Sequence, residues 1–214
     1  MYQRTLDIMV PFLASIREET GVTLSNLNLG GGYGVRYTAE DEAIDIPARL
    51  AELAAYLKEE TERLGLPMPR FLMEPGRSIV ADAGMTLYTV GSVKRIPGYK
   101  QYAAVDGGMT DNPRYALYQS RYTVYHAHKS GSMERFDVVG RCCESGDIIQ
   151  SGVELPGDTC RGDILAVCTT GAYNYSMASN YNRLPRPAVV MLTPDRIYEA
   201  VRRETFADLT GLDL

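Results

Sequence analysis

Several short stretches set chemically able side chains beside turns. Gly30-Gly31-Gly32-Tyr33-Gly34 and Glu74-Pro75-Gly76-Arg77-Ser78 each follow a short apolar run. Consecutive glycines leave backbone N–H groups open to an anion, and the second turn adds an acid and a cation. The glycine turn alone reads more readily as a tight turn than as a phosphate site; the two turns together bring the readings level. Ending neighbouring strands of one parallel sheet, the two would converge on a single anion, because ligands bind at that end of such sheets. Cys142-Cys143-Glu144-Ser145-Gly146-Asp147 sets thiols beside two carboxylates. That is either a buried small residue on a solvated turn, or a proton-donating thiol next to an acid that grips an ammonium group. Asp111-Asn112-Pro113-Arg114-Tyr115-Ala116-Leu117-Tyr118 brings Arg114 and Tyr118 to one spot if the segment turns once. An arginine forks onto a carboxylate with two parallel hydrogen bonds; the plain alternative is a capping arginine and a packed aromatic. Gly171-Ala172-Tyr173 offers a further tyrosine, one of 15 in the chain. His126 and His128 lie two apart on an expected strand, no third ligand is evident, and the cysteine spacing is unlike zinc, so no metal site is expected.

The elements that position these groups fall into two grammars. Leu6, Met9, Leu13 and Ile16 recur at helical spacing up to Gly21, with Pro11 either kinking the helix or marking its first turn. Residues 24–29 read as a short strand. Asp45 and Pro47 announce a second helix whose stripe is Leu50, Leu53, Ala54, Leu57 and Leu64, and Phe71-Leu72-Met73 reads as the next strand. Helix–strand–glycine turn, twice over, is parallel α/β order. After Gly84 apolar and polar residues alternate through 85–93, 101–105, 122–127, 135–139, 163–168 and 188–193, which predicts an antiparallel sandwich or barrel, with only 205–209 helical again. The expected division is therefore 1–84 and 85–214. Two parallel strands cannot be covered on both faces, so the first part reads as the end of a larger α/β domain.

The chain has 214 residues, 45% hydrophobic and 23% charged, with a net charge of −5. Those values predict a globular protein whose main partner is not nucleic acid. No run reaches the roughly 18 apolar residues of a membrane span, and residues 1–19 carry acids, unlike a secretory signal. Four cysteines without a C-x-x-C pair suit a reducing cytoplasm.

Taken in order, Leu27-Asn28-Leu29-Gly30-Gly31-Gly32, Glu74-Pro75-Gly76-Arg77-Ser78, Asp111 to Tyr118, Cys143-Glu144-Ser145-Gly146-Asp147 and Gly171-Ala172-Tyr173 resemble the diaminopimelate decarboxylase family, in the alanine-racemase-like branch of pyridoxal-phosphate enzymes. The resemblance implies an α+β fold: the last β/α units of a TIM-type barrel, then a mainly antiparallel β-sandwich or barrel domain. It implies that Gly30, Gly31, Gly32, Glu74, Pro75, Gly76 and Arg77 hold the cofactor, pyridoxal 5'-phosphate, with Glu74 pairing its ring nitrogen. Arg77, Arg114 and Tyr118 would clamp the distal carboxylate of a small-molecule substrate, meso-diaminopimelate. Glu144 would receive its distal ammonium, Cys143 would return the proton after carbon dioxide leaves, and Tyr173 would touch cofactor and substrate. Cys143 and Glu144 would reach into a partner's site, which implies a homodimer in the cytoplasm.

The family's Schiff-base lysine has no counterpart among Lys58, Lys94, Lys100 and Lys129, nor has its ring-stacking histidine. The chain therefore reads as the C-terminal half of a lysine-producing decarboxylase, inactive alone. Two alternatives stand beside that reading. One is a related decarboxylase of the ornithine, arginine or carboxynorspermidine type; ornithine, lacking a distal carboxylate, would leave Arg77 and Arg114 without an anion. The other is a non-catalytic dimerisation module.

Overall fold

The computed structural model describes residues 2–214. It forms two compact units: residues up to Arg36 with Glu42–Ile79, and Tyr37–Asp41 with Val80–Leu214.

In the first unit, helix α1 (Tyr2–Thr20) precedes strand β1 (Asn26–Asn28), and helix α2 (Ile46–Arg63) precedes β2 (Arg70–Leu72). Leu6, Val10 and Leu13 put one face of α1 into a core shared with Leu27, Leu53 and Leu57, the spacing an amphipathic helix requires. Helix α1 continues through Pro11, which is exposed; the ring removes one intrahelical hydrogen bond without ending the helix. Asp45 caps α2 by accepting a hydrogen bond from Ala48 N at 3.0 Å, with Pro47 in the first turn. The strands pair in parallel, Leu27 opposite Phe71. Both glycine-bearing turns therefore leave the same end of this small sheet.

The second unit is built on β3 (Met85–Ile96), β4 (Lys100–Val105), β5 (Val124–His126), β6 (Met133–Val139), β7 (Ile148–Pro156) and β8 (Ile164–Cys168), in the order β5-β8-β3-β4-β6-β7. Val90, Phe136, Val138, Ile149, Leu155, Leu165 and Val167 are fully buried between its inner faces. The sheet curls until its edges meet: Tyr122 N, just ahead of β5, donates to Gln150 Oε1 on β7 at 2.9 Å. Three short helices, α4 (Arg114–Tyr118), α5 (Asn174–Met177) and α6 (Phe206–Thr210), and a separate hairpin of β9 (Val189–Leu192) and β10 (Ile197–Val201) complete it.

Alternation alone missed β7 and β10. Adjacent Ile148 and Ile149 and the interrupting Gly152 blur the period of β7, and β10 is exposed on both faces, so no face is marked by burial. Within the second unit the strand pairs described are antiparallel except for β4 and β6, which run parallel with Ala104 opposite Val139. Pairing direction leaves no trace in a strand's own periodicity. It decides where the functional turns emerge.

Phe136 is fully buried and lies under the Arg95 guanidinium, 5.4 Å from the ring centroid. Phe136→Ala should cost about 3–5 kcal/mol by cavity formation, read as a lower urea midpoint for the second unit with an unchanged m-value.

Candidate functional site

The two turns of the first unit are tied together by their backbones. Leu29 N donates to Leu72 O at 3.1 Å and Glu74 N to Gly30 O at 2.7 Å, extending the parallel pairing into the turns. A Cβ on Gly31 would overlap the Glu74 carbonyl oxygen, and Gly32 has φ +108°, so both positions demand glycine. Asn28 braces the arrangement from both sides: Oδ1 accepts from Gly30 N at 2.8 Å and Nδ2 donates to Glu74 Oε1 at 2.6 Å. The Tyr2 hydroxyl donates to Gly31 O at 2.5 Å. Glycine carbonyls are thus occupied inward, while the N–H groups of Gly31, Gly32 and Gly76 donate to no described residue. Pro75 brings no N–H, and Arg77 begins helix α3 (Arg77–Val80) beside them. Glu74 Oε2 is likewise unpaired among the described residues. The result is a cluster of backbone donors next to a carboxylate with one free oxygen.

In the second unit Arg114 opens α4 and is only 5% exposed. Its guanidinium lies 5.1 Å from the Tyr118 ring centroid and 5.6 Å from that of Tyr173. Its other neighbours are soft or neutral, Met177 Sδ at 3.9 Å and Ser120 Oγ at 3.5 Å. No acid lies within ion-pair distance among the described residues, and Nε has no hydrogen-bond partner. The Tyr122 hydroxyl, pushed up in pKa by burial, faces Asn174 and the same guanidinium, both of which oppose the shift. Neither that hydroxyl nor the Asn174 amide makes a well-aligned hydrogen bond. Tyr173 stands at φ +70°. Gly171 holds its loop down: Gly171 N donates to Ala81 O at 2.9 Å, and a Cβ there would overlap Val80 O.

The structure separates the two carboxylates of the cysteine turn. Glu144 is exposed, and its carboxylate accepts hydrogen bonds from Ser145 Oγ and Gly146 N, each at 3.3 Å. Asp147 is 4% exposed and faces inward. The thiols divide similarly. Cys143 is exposed, whereas burial and the Asp147 carboxylate push the Cys142 thiol up to about 11. Cys143 is the more exposed of the two thiols in this turn.

The histidines are not a pair. His126 ends β5, whereas His128 lies beyond it. His126 Nδ1 accepts from the backbone N–H of His128 at 3.2 Å and Lys129 at 2.9 Å, with Nε2 3.1 Å from Asp163. Among the described residues no group of three or more His, Cys, Asp or Glu could hold a metal ion, and no helix is long and apolar enough to cross a membrane. The sequence reading missed Tyr2, Tyr122, Asn174 and the inward role of Asp147. Asn174 follows Tyr173 directly and Asp147 closes the cysteine motif; Tyr2 and Tyr122 carry no local signal.

A parallel α/β piece with clustered backbone N–H groups, followed by a curled sheet that buries an arginine with no acid partner among the described residues, gives the chain a two-part construction. Residues 12–171 match the model of the pyridoxal-dependent decarboxylase C-terminal sheet domain, and the chain belongs to that family. Within the family it is 50% identical over 190 residues to the diaminopimelate decarboxylase of Bacillus subtilis, covering 88% of this chain and 43% of that protein. The structure of diaminopimelate decarboxylase from M. jannaschii in co-complex with L-lysine superposes with TM-score 0.90 at 31% identity, over 98% of this chain and 47% of that one. A lysine/ornithine decarboxylase from Vibrio vulnificus, complexed with cadaverine, matches at TM-score 0.71 and 26% identity, over 85% of this chain and 48% of that one. The chain spans about half the length of the relatives it matches.

The thiol environments make a direct prediction. At pH 8 a thiol with a pKa of about 11 is ionised only to about one part in a thousand. Iodoacetamide should modify exposed Cys143 and Cys160 well before Cys142 and Cys168, as peptide mass mapping over a time course will read.

Proposed function

We propose that this chain is the C-terminal portion of a pyridoxal-phosphate-dependent decarboxylase acting on meso-diaminopimelate to give L-lysine. The observation that carries the reading is Arg114: a buried guanidinium between two tyrosines with no acid partner among the described residues. A buried cation left unpaired costs several kcal/mol, and a substrate carboxylate would offset that cost with two parallel hydrogen bonds. Ornithine has no distal carboxylate, so this feature favours diaminopimelate over the ornithine type.

The residues of the first unit fit the cofactor. The N–H groups of Gly31, Gly32 and Gly76, with Arg77, suit a phosphate, and the free oxygen of Glu74 suits a protonated ring nitrogen. Bound there, pyridoxal phosphate supplies an electron sink for loss of the carboxylate. In the second unit Arg114 and Tyr118 bind and orient the distal carboxylate, Glu144 takes the distal ammonium, and Tyr173 borders the bound substrate. Cys143 holds the proton delivered to the substrate carbon once carbon dioxide has gone. Cys143 and Glu144 act at the partner subunit's cofactor in a homodimer, and the enzyme works in the cytoplasm.

The chain's own lysines are placed elsewhere. Lys58 is exposed on α2, 3.9 Å from Glu62, Lys100 pairs with Asp137 at 2.6 Å and Lys129 with Asp163 at 2.7 Å, while Lys94 is exposed on β3. The lysine that anchors the cofactor belongs to residues outside this sequence. So do the further strands that a two-stranded parallel sheet needs, a need also visible in Ile8 and Phe12, exposed on α1.

Steady-state kinetics of the complete enzyme test the assignment. Arg114→Ala should raise KM for diaminopimelate about a hundredfold while kcat changes far less; an unchanged KM would remove the clamp. Cys143→Ala should lower kcat by about 10²–10⁴ with KM nearly constant. The 214-residue chain alone should turn over nothing, and turnover by pure chain would sink the half-enzyme reading.

A further inference from the structure

Asp147 is a buried carboxylate of the second unit to which the proposed substrate contacts assign no role. Its Oδ1 accepts from Met109 N and its Oδ2 from Cys142 N, both at 2.6 Å. Its carbonyl accepts from Gly140 N at 2.9 Å, and its own N–H donates to Glu144 O at 3.1 Å. The carboxylate is 4% exposed, and no cation lies within 4 Å of it among the described residues. Two backbone amides hold it, with the Cys142 thiol beside it. Room for it exists because positions 108 and 140 are glycine: a Cβ at either would overlap its oxygens.

The two amides belong to different segments. Met109 lies in the turn after β4, which runs on through Asn112 into Arg114. Cys142 lies in the turn after β6, one residue before Cys143. One further backbone bond joins these turns, Arg141 N to Gly107 O at 3.3 Å. We propose that Asp147 is a positioning residue, which fixes the Cys143–Glu144 turn against the Arg114 segment by bridging Met109 N and Cys142 N without touching substrate. The proposal rests on the roles given above to Cys143 and Arg114.

A carboxylate is required because it presents acceptors to two N–H groups at once. An asparagine turns an N–H donor against one of them and leaves that amide unsatisfied in a dry site. Cys142 is the nearer reporter. Its thiol is held protonated by burial and by Asp147, so releasing the turn should free Cys142. Cys168, a partly buried thiol on β8 whose pKa is raised by burial, serves as the reference for general loosening.

The experiment compares parent, Asp147→Asn and Gly140→Ala; the last displaces the carboxylate without removing it. In the chain, iodoacetamide labelling of Cys142 relative to Cys168 should rise about tenfold in both variants. In the complete decarboxylase, kcat per bound cofactor should fall about ten- to a hundredfold, with KM for diaminopimelate rising by less than about threefold. Parallel rises at Cys142 and Cys168 would mark Asp147 as merely structural and overturn the proposal. So would an unchanged Cys142, or a freed Cys142 with kcat intact. Failure of the catalytic reading itself shows differently: Cys143→Ala would keep full kcat while the labelling shift at Cys142 persisted.

Discussion

The parallel pairing of β4 with β6 is the constraint on which the second unit depends. Parallel neighbours end at the same edge of a sheet, so with Ala104 opposite Val139 the chain leaves β4 and β6 side by side. One exit carries residues 106–118 with Arg114 and Tyr118, and the other carries 140–147 with Cys143 and Glu144. An antiparallel register would have sent the two turns to opposite edges. The pairing is itself braced by a buried acid: Asp137, opposite Tyr102, is 7% exposed and bound by Lys100 Nζ at 2.6 Å and Gly152 N at 2.9 Å. Burial raises its carboxyl, but these two donors bring it below the usual range.

Bringing two loops together at one edge crowds polar backbone into a dry space, and the sequence meets that with acids and glycines. Asp111 accepts from Gly108 N at 2.9 Å and from the Tyr88 hydroxyl, and its carboxyl is raised, chiefly by burial. Asp147 takes Met109 N on the other side of the same turn. Buried N–H groups left alone would each cost about 1–3 kcal/mol, so each carboxylate does for this turn what a strand partner does inside the sheet. The first unit solves the same problem in smaller compass. Asn28 binds both Gly30 N and Glu74 Oε1, and the missing side chain of Gly31 lets one turn rest on the carbonyl of the other.

Much of this was legible in the chain. Glycine runs after apolar segments, the capping pattern at Asp45 and Pro47, and the change of period near Gly84 are local signals, and local geometry obeys them. Arg114, Tyr118, Cys143 and Glu144 stand out as candidates because they cluster in short motifs. What escaped reading depends on pairing across long separations. Asp147 looks like a second substrate acid until its partner Met109, 38 positions earlier, is in place. Tyr122 and Asn174 become neighbours of Arg114 only once the sheet has curled, and Tyr2 meets Gly31 across 29 positions. Strand β7 hid because a strand that buries residues on both sides of a bend need not alternate.

The energetics of Arg114 then connect fold to chemistry. Two cation–π contacts at 5.1 and 5.6 Å contribute about 0.5–2 kcal/mol each, which falls short of the several kcal/mol lost on burying a guanidinium without an anion. Neighbouring Tyr122 and Asn174 add dipoles but no charge, and they too are left with unused hydrogen-bonding capacity. A sequence selected for stability alone would place an acid beside Arg114 or a leucine in its stead. Keeping a cation between two tyrosines, above amide and hydroxyl groups with bonds to spare, stores a deficit that an incoming carboxylate relieves. A carboxylate would relieve that deficit by charge and by two parallel hydrogen bonds, whereas an ammonium would add a like charge. If the proposed function holds, substrate selection would be the completion of an ion pair for which the fold supplies one half.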